Sequence, residues 1–142
     1  SSSFVTAFPT SLQALEAYFE DATRNYFGIS YRDEPVGIIG ADNINESFKK
    51  LEMKKFVGDK KFRGKGIGKY STFLFLYYVF IKMEYNKVFI QSLDTNIKNI
   101  NLNSKFGFEL EGILYKEVCI DNIFRDVLRM SLLRKKWIEM FG

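Results

Sequence analysis

The spacing of apolar residues changes along the chain between a period near 3.6 and a period of two, and the changes divide it into elements. Residues 11–25 predict a helix: Ser11 is placed to cap it, and Leu12, Leu15, Tyr18 and Phe19 fall on one face. Residues 26–32 predict a strand, Asp33-Glu34-Pro35 a turn and residues 36–41 a second strand, together a hairpin, although Gly37 and Gly40 count against the second strand. Residues 42–46 predict a polar turn and residues 48–57 a third strand. In that strand Leu51, Met53 and Lys55 face one way and Glu52, Lys54 and Phe56 the other. Residues 68–84 predict a helix that is apolar nearly all round, so it is buried on more than one side. Residues 87–93 predict a strand. Strand, helix, strand at these lengths is a βαβ unit, which makes residues 48–57 and 87–93 parallel neighbours. Asp94-Thr95-Asn96 predicts a turn and cap, residues 97–106 a short helix, and Gly107 its end. Residues 108–120 and 124–133 predict two long strands joined at Asp121-Asn122, and Trp137 and Phe141 fall in a terminal stub.

A chain of 142 residues with no internal repeat predicts one domain, residues 1–142. Apolar residues make up 46% and aromatic ones 17%, enough for a packed core. The net charge of +4 suits an anionic ligand, but the lysines are scattered rather than gathered on one face, which disfavours nucleic acid. Cys119 is the single cysteine, so no disulfide framework exists and a reducing, cytoplasmic setting is expected. Histidine is absent, which argues against a zinc centre or other metal and removes the commonest general base. The apolar run 73–81 is too short to span a bilayer, and no membrane role is expected.

Chemistry concentrates at Phe62-Arg63-Gly64-Lys65-Gly66-Ile67-Gly68-Lys69, a basic, glycine-rich turn between a strand and the long helix. Glycines let the backbone approach a phosphate, and a helix N-terminus offers unpaired N–H groups with partial positive charge. The P-loop pattern fails because Arg63 and Tyr70 stand where a glycine and a Ser or Thr are required, and the dinucleotide fingerprint fails because its third glycine comes one residue early. The spacing Arg63-x-x-Gly66-x-Gly68 instead resembles the acyl-CoA loop of the GNAT superfamily of N-acetyltransferases. A second stretch, residues 96–108, is similar to another motif of that family through Asn96, Leu102, Lys105, Gly107 and Phe108, with Asn99 replacing a small residue. A third, Glu111 to Leu114 followed by Arg125 to Leu133 and Trp137, resembles the branch of ribosomal-protein N-terminal acetyltransferases and amino-sugar-nucleotide N-acetyltransferases. The three occur in the family's order, and the resemblance covers roughly residues 12–137. The resemblance implies an α/β (α+β) fold: a mixed, centrally splayed β-sheet flanked by helices. Relatives carry a first strand and first helix for which this chain begins too late, so the unit is expected to be missing or replaced, leaving an exposed edge that favours a homodimer.

The same resemblance implies acetyl-CoA as co-substrate and direct transfer to a primary amine. The backbone of Gly64, Lys65, Gly66, Ile67, Gly68 and Lys69 would hold the pyrophosphate, with Arg63 or Lys65 beside it. Phe56, Val57 or Gly58 would offer an N–H to the oxyanion. Asn96 would bond the pantetheine arm or cap the helix after it, and Lys105 would form a salt bridge or touch the ribose phosphate. An alkyl amine keeps its proton to about pH 10, so a base is needed. Glu52 stands where the family often has one, and it equally reads as a surface glutamate paired with Lys54 or Lys50. Glu46 and Asp42 are weaker candidates. Asn103 occupies a position often filled by a tyrosine that protonates the thiolate. An amide is no useful acid, so Asn103 positions the sulfur, the thiolate leaves unprotonated, or Tyr115 serves. Cys119 has no histidine to activate it, which disfavours an acyl-enzyme. The expected acceptor is a small amine, notably an amino-sugar nucleotide bound on an aromatic surface around Phe48, Phe56 and Tyr115. The second reading is a protein N-terminus, and the third is a non-catalytic CoA- or RNA-binding module.

Overall fold

The computed structural model describes residues 23–58 and 66–142. Most of the helix expected over residues 11–25 lies outside these residues. Its expected end does not hold, because Asn25 already belongs to a strand. Among the described residues six strands form one sheet: β1 (Asn25–Tyr31), β2 (Glu34–Asn45), β3 (Lys50–Val57), β4 (Lys87–Leu93), β5 (Glu109–Ile120) and β6 (Ile123–Leu133), in the spatial order β1-β2-β3-β4-β6-β5. The β3–β4 pair is parallel and all others are antiparallel. The sheet is therefore mixed, as expected. The parallel pair is also brief: only Lys50–Glu52 pairs with Lys87–Phe89, and beyond that rung the two strands part.

Local chemistry explains where the strands turn. Arg32 and Asp33 both take positive φ, as do Asp121 and Asn122, the two-residue geometry whose twist matches a hairpin. The first hairpin thus turns earlier than the sequence suggests, and Glu34 and Pro35 open β2. The polar turn expected over residues 42–46 is largely strand, because Asp42 pairs with Glu52 across the ladder. Gly40 fits a strand here because nothing larger would: a Cβ would meet the Tyr26 Cα at 2.6 Å.

The described residues also form three helices: α1 (Ile67–Tyr77), α2 (Ile97–Lys105) and α3 (Arg134–Phe141). α1 runs on into one π-helical stretch, Tyr78–Lys82, where Met83 N–H donates to Tyr78 O. Arg134 Nε donates to the Phe80 carbonyl in that stretch at 2.9 Å. α3 is where only a stub was expected. It delivers Trp137, 2% exposed, among Phe73, Phe80 and Phe141, with ring centroids 5.5–5.8 Å away. Leu51, Met53, Val88, Ile90, Met130 and Leu132 join α1 and Trp137 in one continuous core on one face of the sheet. The alternation that builds this core turns Asp42, Glu52, Phe89, Gln91 and Arg129 to the opposite face. No helix of the described residues is long and apolar enough to cross a membrane.

Candidate active site

The start of α1 lacks the groups that normally satisfy a helix N-terminus. Its cap residue, Gly66, holds φ +77°, a conformation that costs most residues strain, and among the described residues no side-chain oxygen caps the helix. The first turn contains no acid. Its amides and partial positive charge are thus available to an anion. A Cβ at Gly66 would meet nothing within 4 Å, so a ligand can approach this backbone closely. Ile67 is buried, while Lys69 is exposed beside it. Arg63, Gly64 and Lys65 lie outside the described residues.

Beneath this turn sits a residue that the sequence puts on the same side of β3 as Leu51 and Met53 and to which it gives no role. Lys55 Nζ donates to Thr72 Oγ1 at 2.8 Å and stands 3.5 Å from the Gly68 carbonyl. Burial lowers its pKa to about 8. The signal was its register: a lysine in step with Leu51 and Met53 has to end inside.

The gap where β3 and β4 part begins directly after Glu52. Gly58 N–H is spent on Val36 O at 2.9 Å, in register with the β2–β3 ladder. Antiparallel bonding alternates, so Phe56 N–H likewise turns toward Ile38, and the amides of Met53, Lys55 and Val57 turn toward the gap. Of the three oxyanion donors expected from the sequence, alternation leaves Val57 aimed at the gap.

Glu52 is 3% exposed, so it is not the surface glutamate that the sequence also allowed. Its carboxylate accepts from Asn43 Nδ2 at 2.9 Å and from Gln91 Nε2 at 3.3 Å. Among the described residues no cation pairs with it. Lys54, an expected partner, bonds Asp42 instead at 3.3 Å, as does Arg24 Nε, also at 3.3 Å. Farther along the same face the Arg129 guanidinium lies 3.9 Å from the Phe89 ring centre. Asn43 and Gln91 are site residues that sequence reasoning missed, because amides carry no motif until a register brings them to a carboxylate.

The remaining candidates separate. Asn96 occupies the α2 cap position, but its side chain makes no capping bond, and Ile100 N–H bonds its carbonyl. Asn103 is 1% exposed and its buried Oδ1 has no partner among the described residues. Lys105 is exposed in the last turn of α2, where its charge complements the helix dipole. Tyr115 is 76% exposed on β5, with β6 between it and β4. Phe48 precedes β3 and Phe56 stands near its far end, roughly 25 Å along a strand. The structure therefore does not gather Phe48, Phe56 and Tyr115 into one aromatic surface. What lies beside Gly66 is an apolar groove of about 620 Å³ between β1 and α1, lined by Phe27, Ile39, Tyr70, Leu74 and Tyr78 among others.

Comparison with known proteins bears on the family and the fold. A family model described as an acetyltransferase (GNAT) domain matches residues 2–109. The spermidine N(1)-acetyltransferase of Escherichia coli K12 is 23% identical over 132 residues, which cover 93% of this chain and 70% of the relative. A Bacillus subtilis strain 168 protein with the provisional name of ribosomal N-acetyltransferase YdaF is 27% identical over 110 residues, 78% of this chain and 60% of that protein. Among solved structures, a variant of the Vibrio cholerae spermidine N-acetyltransferase SpeG superposes with a TM-score of 0.85 at 23% identity, covering 93% of this chain and 80% of the other. At that identity the match shows the fold.

Proposed function

We propose that this chain, which belongs to the GNAT acetyltransferase family, acetylates a small cationic amine of the polyamine class with acetyl-CoA as donor. The observation that carries the reading is Glu52, a buried carboxylate held by two amides at the head of the β3–β4 gap, with no cation beside it among the described residues. Such a group attracts an ammonium ion and can accept its proton, directly or through a water. Asn43 and Gln91 aim the carboxylate and leave its charge uncancelled.

The residues present fit acetyl-CoA. The uncapped first turn of α1 and the open space at Gly66 suit its pyrophosphate, with Lys69 adding charge. The Val57 amide, turned toward the gap, suits the thioester carbonyl, and the unused side chain of Asn96 suits the pantetheine arm. Bound there, the co-substrate supplies an acetyl group activated as a thioester. The protein's part is to hold that group in the gap, to order the amine against it and to take the amine's proton at Glu52.

Two findings move the acceptor away from an amino-sugar nucleotide. The aromatic surface that favoured it is not assembled, and relatives covering most of the chain are spermidine acetyltransferases by name. A protein N-terminus is the second reading, supported by the ribosomal acetyltransferase name of a relative. The test is thiol release from acetyl-CoA with spermidine, an amino-sugar nucleotide and a peptide with a free N-terminus. Turnover of spermidine at least tenfold faster than of the other two is expected. Turnover of the peptide alone would install the second reading. Release with none of them, despite acetyl-CoA binding, would favour the non-catalytic module.

A further inference from the structure

Every described charge around the first turn of α1 is positive. Lys69 is exposed on the turn, and Lys55 reaches it from below, through Thr72 Oγ1 and the Gly68 carbonyl. A Cβ added at Gly68 would stand 3.7 Å from the Lys55 amine, so little separates the ammonium from the helix backbone. This is a costly place for a cation. It is partly desolvated, and it lies at the positive end of the helix dipole. The two neutral acceptors offset part of that cost, and among the described residues no carboxylate pairs with the amine. On the same sheet face, β1 and β2 present Phe27, Ile29 and Ile39, β4 presents Val88, Ile90 and Ser92, and β3 itself presents Leu51 and Met53. α1 brings Lys69 and Tyr70 at its start and no carboxylate. Arg32, at the end of β1, borders the groove beside Gly66 and is a further positive charge.

An anion at this turn would reverse both costs. It would cancel the dipole's positive end and supply the counter-charge that the buried amine lacks. We propose that Lys55 is the internal cation of the phosphate site, a positioning residue whose neutral amine takes up a proton from solvent to become the ammonium when the pyrophosphate of acetyl-CoA binds. This rests on the reading that the α1 N-terminus holds that pyrophosphate, and it adds a pH-linked strength of binding. Burial lowers the Lys55 pKa to about 8 in the free protein, and a neighbouring anion raises it. The sign follows. Below pH 7 the amine is charged in both states and affinity is flat. Above pH 8 the free form loses the proton that the bound form keeps, so affinity falls by up to about tenfold per pH unit.

The test is calorimetric titration of acetyl-CoA into the whole chain, in two buffers of different ionisation heat. At pH 8.5 about 0.7 of a proton should enter per ligand bound, and at pH 6.5 almost none. Lys55→Arg keeps a charge that does not titrate in this range, so it should bind with no proton uptake and with affinity flat from pH 7 to 9. Lys55→Met should bind at least tenfold more weakly at pH 7, again without uptake. Lys69→Met should bind more weakly yet retain the uptake. Should Lys55→Met fail to fold, the arginine variant still decides. Wild-type binding without uptake, or uptake that persists in Lys55→Arg, overturns the proposal. No binding at pH 7 overturns the phosphate-site reading first, and this proposal with it.

Discussion

The carboxylate of Glu52 turns on a single register. Strand alternation alone leaves it free to face water or protein, and Lys50 and Lys54 stand close enough in sequence to pair with it. The pairing of Asp42 with Glu52 decides the matter: it brings Asp42 to take Lys54, and Asn43 alongside to hold Glu52 without a charge. That register was not legible, because Asp42 to Glu46 reads as a turn by its polarity, and polarity cannot distinguish a turn from a buried polar row. Glu52→Gln keeps the shape and removes the charge and the proton acceptor; its single oxygen keeps one of the two amide bonds, and the other amide has to turn its own oxygen to the new NH2. Its kcat/KM should fall by about 10²–10³-fold while acetyl-CoA affinity and thermal midpoint stay close to wild type. Loss of binding in step with activity would make Glu52 structural instead. Lys55 was legible in part: its register with Leu51 and Met53 is plain in the sequence, but the helix turn it would reach is not.

Among the elements, β4 has the bounds expected from the sequence, residues 87–93, and it is buried on both faces. The βαβ unit likewise emerges as a parallel pair. The brevity of that pair was invisible, because nothing in the residues of β3 or β4 marks where their ladder ends. The π-helical stretch was hidden too: residues 68–84 carry an unbroken helical pattern, and the shift to i−5 bonding is sustained by Arg134, 54 positions away. α3 was missed because a short helix has little periodicity to read. Its content is tertiary, Trp137 inserted among the rings of α1 and the π stretch. Trp137→Ala should therefore cost about 3–5 kcal/mol in urea unfolding, as for a large aromatic removed from a core. A loss under 1 kcal/mol would mean that α3 packs only loosely on the sheet.

For the molecule as a whole, three short motifs in the right order led to the family, which the family model bears out, and the superposition on SpeG bears out the fold. What motifs convey is the order of elements. They say little about the acceptor, because that side depends on which buried charges are left uncancelled, a property of the assembled sheet. The assembled sheet has two faces with opposite demands: a positive, uncapped helix start on one, and an uncancelled carboxylate on the other, with the β3–β4 gap between them. A donor bound across that gap is the central claim. Thermal denaturation with and without saturating acetyl-CoA tests it most directly, with Gly66→Trp as the blocked variant. Ligand at a hundred times its Kd adds about 2.7 kcal/mol to the native state, which for a chain of this length raises the midpoint by roughly 5–10 °C. The account predicts that rise in the wild type and its disappearance in Gly66→Trp. An unmoved wild-type midpoint at saturating acetyl-CoA, or an equal rise in the blocked variant, would contradict it.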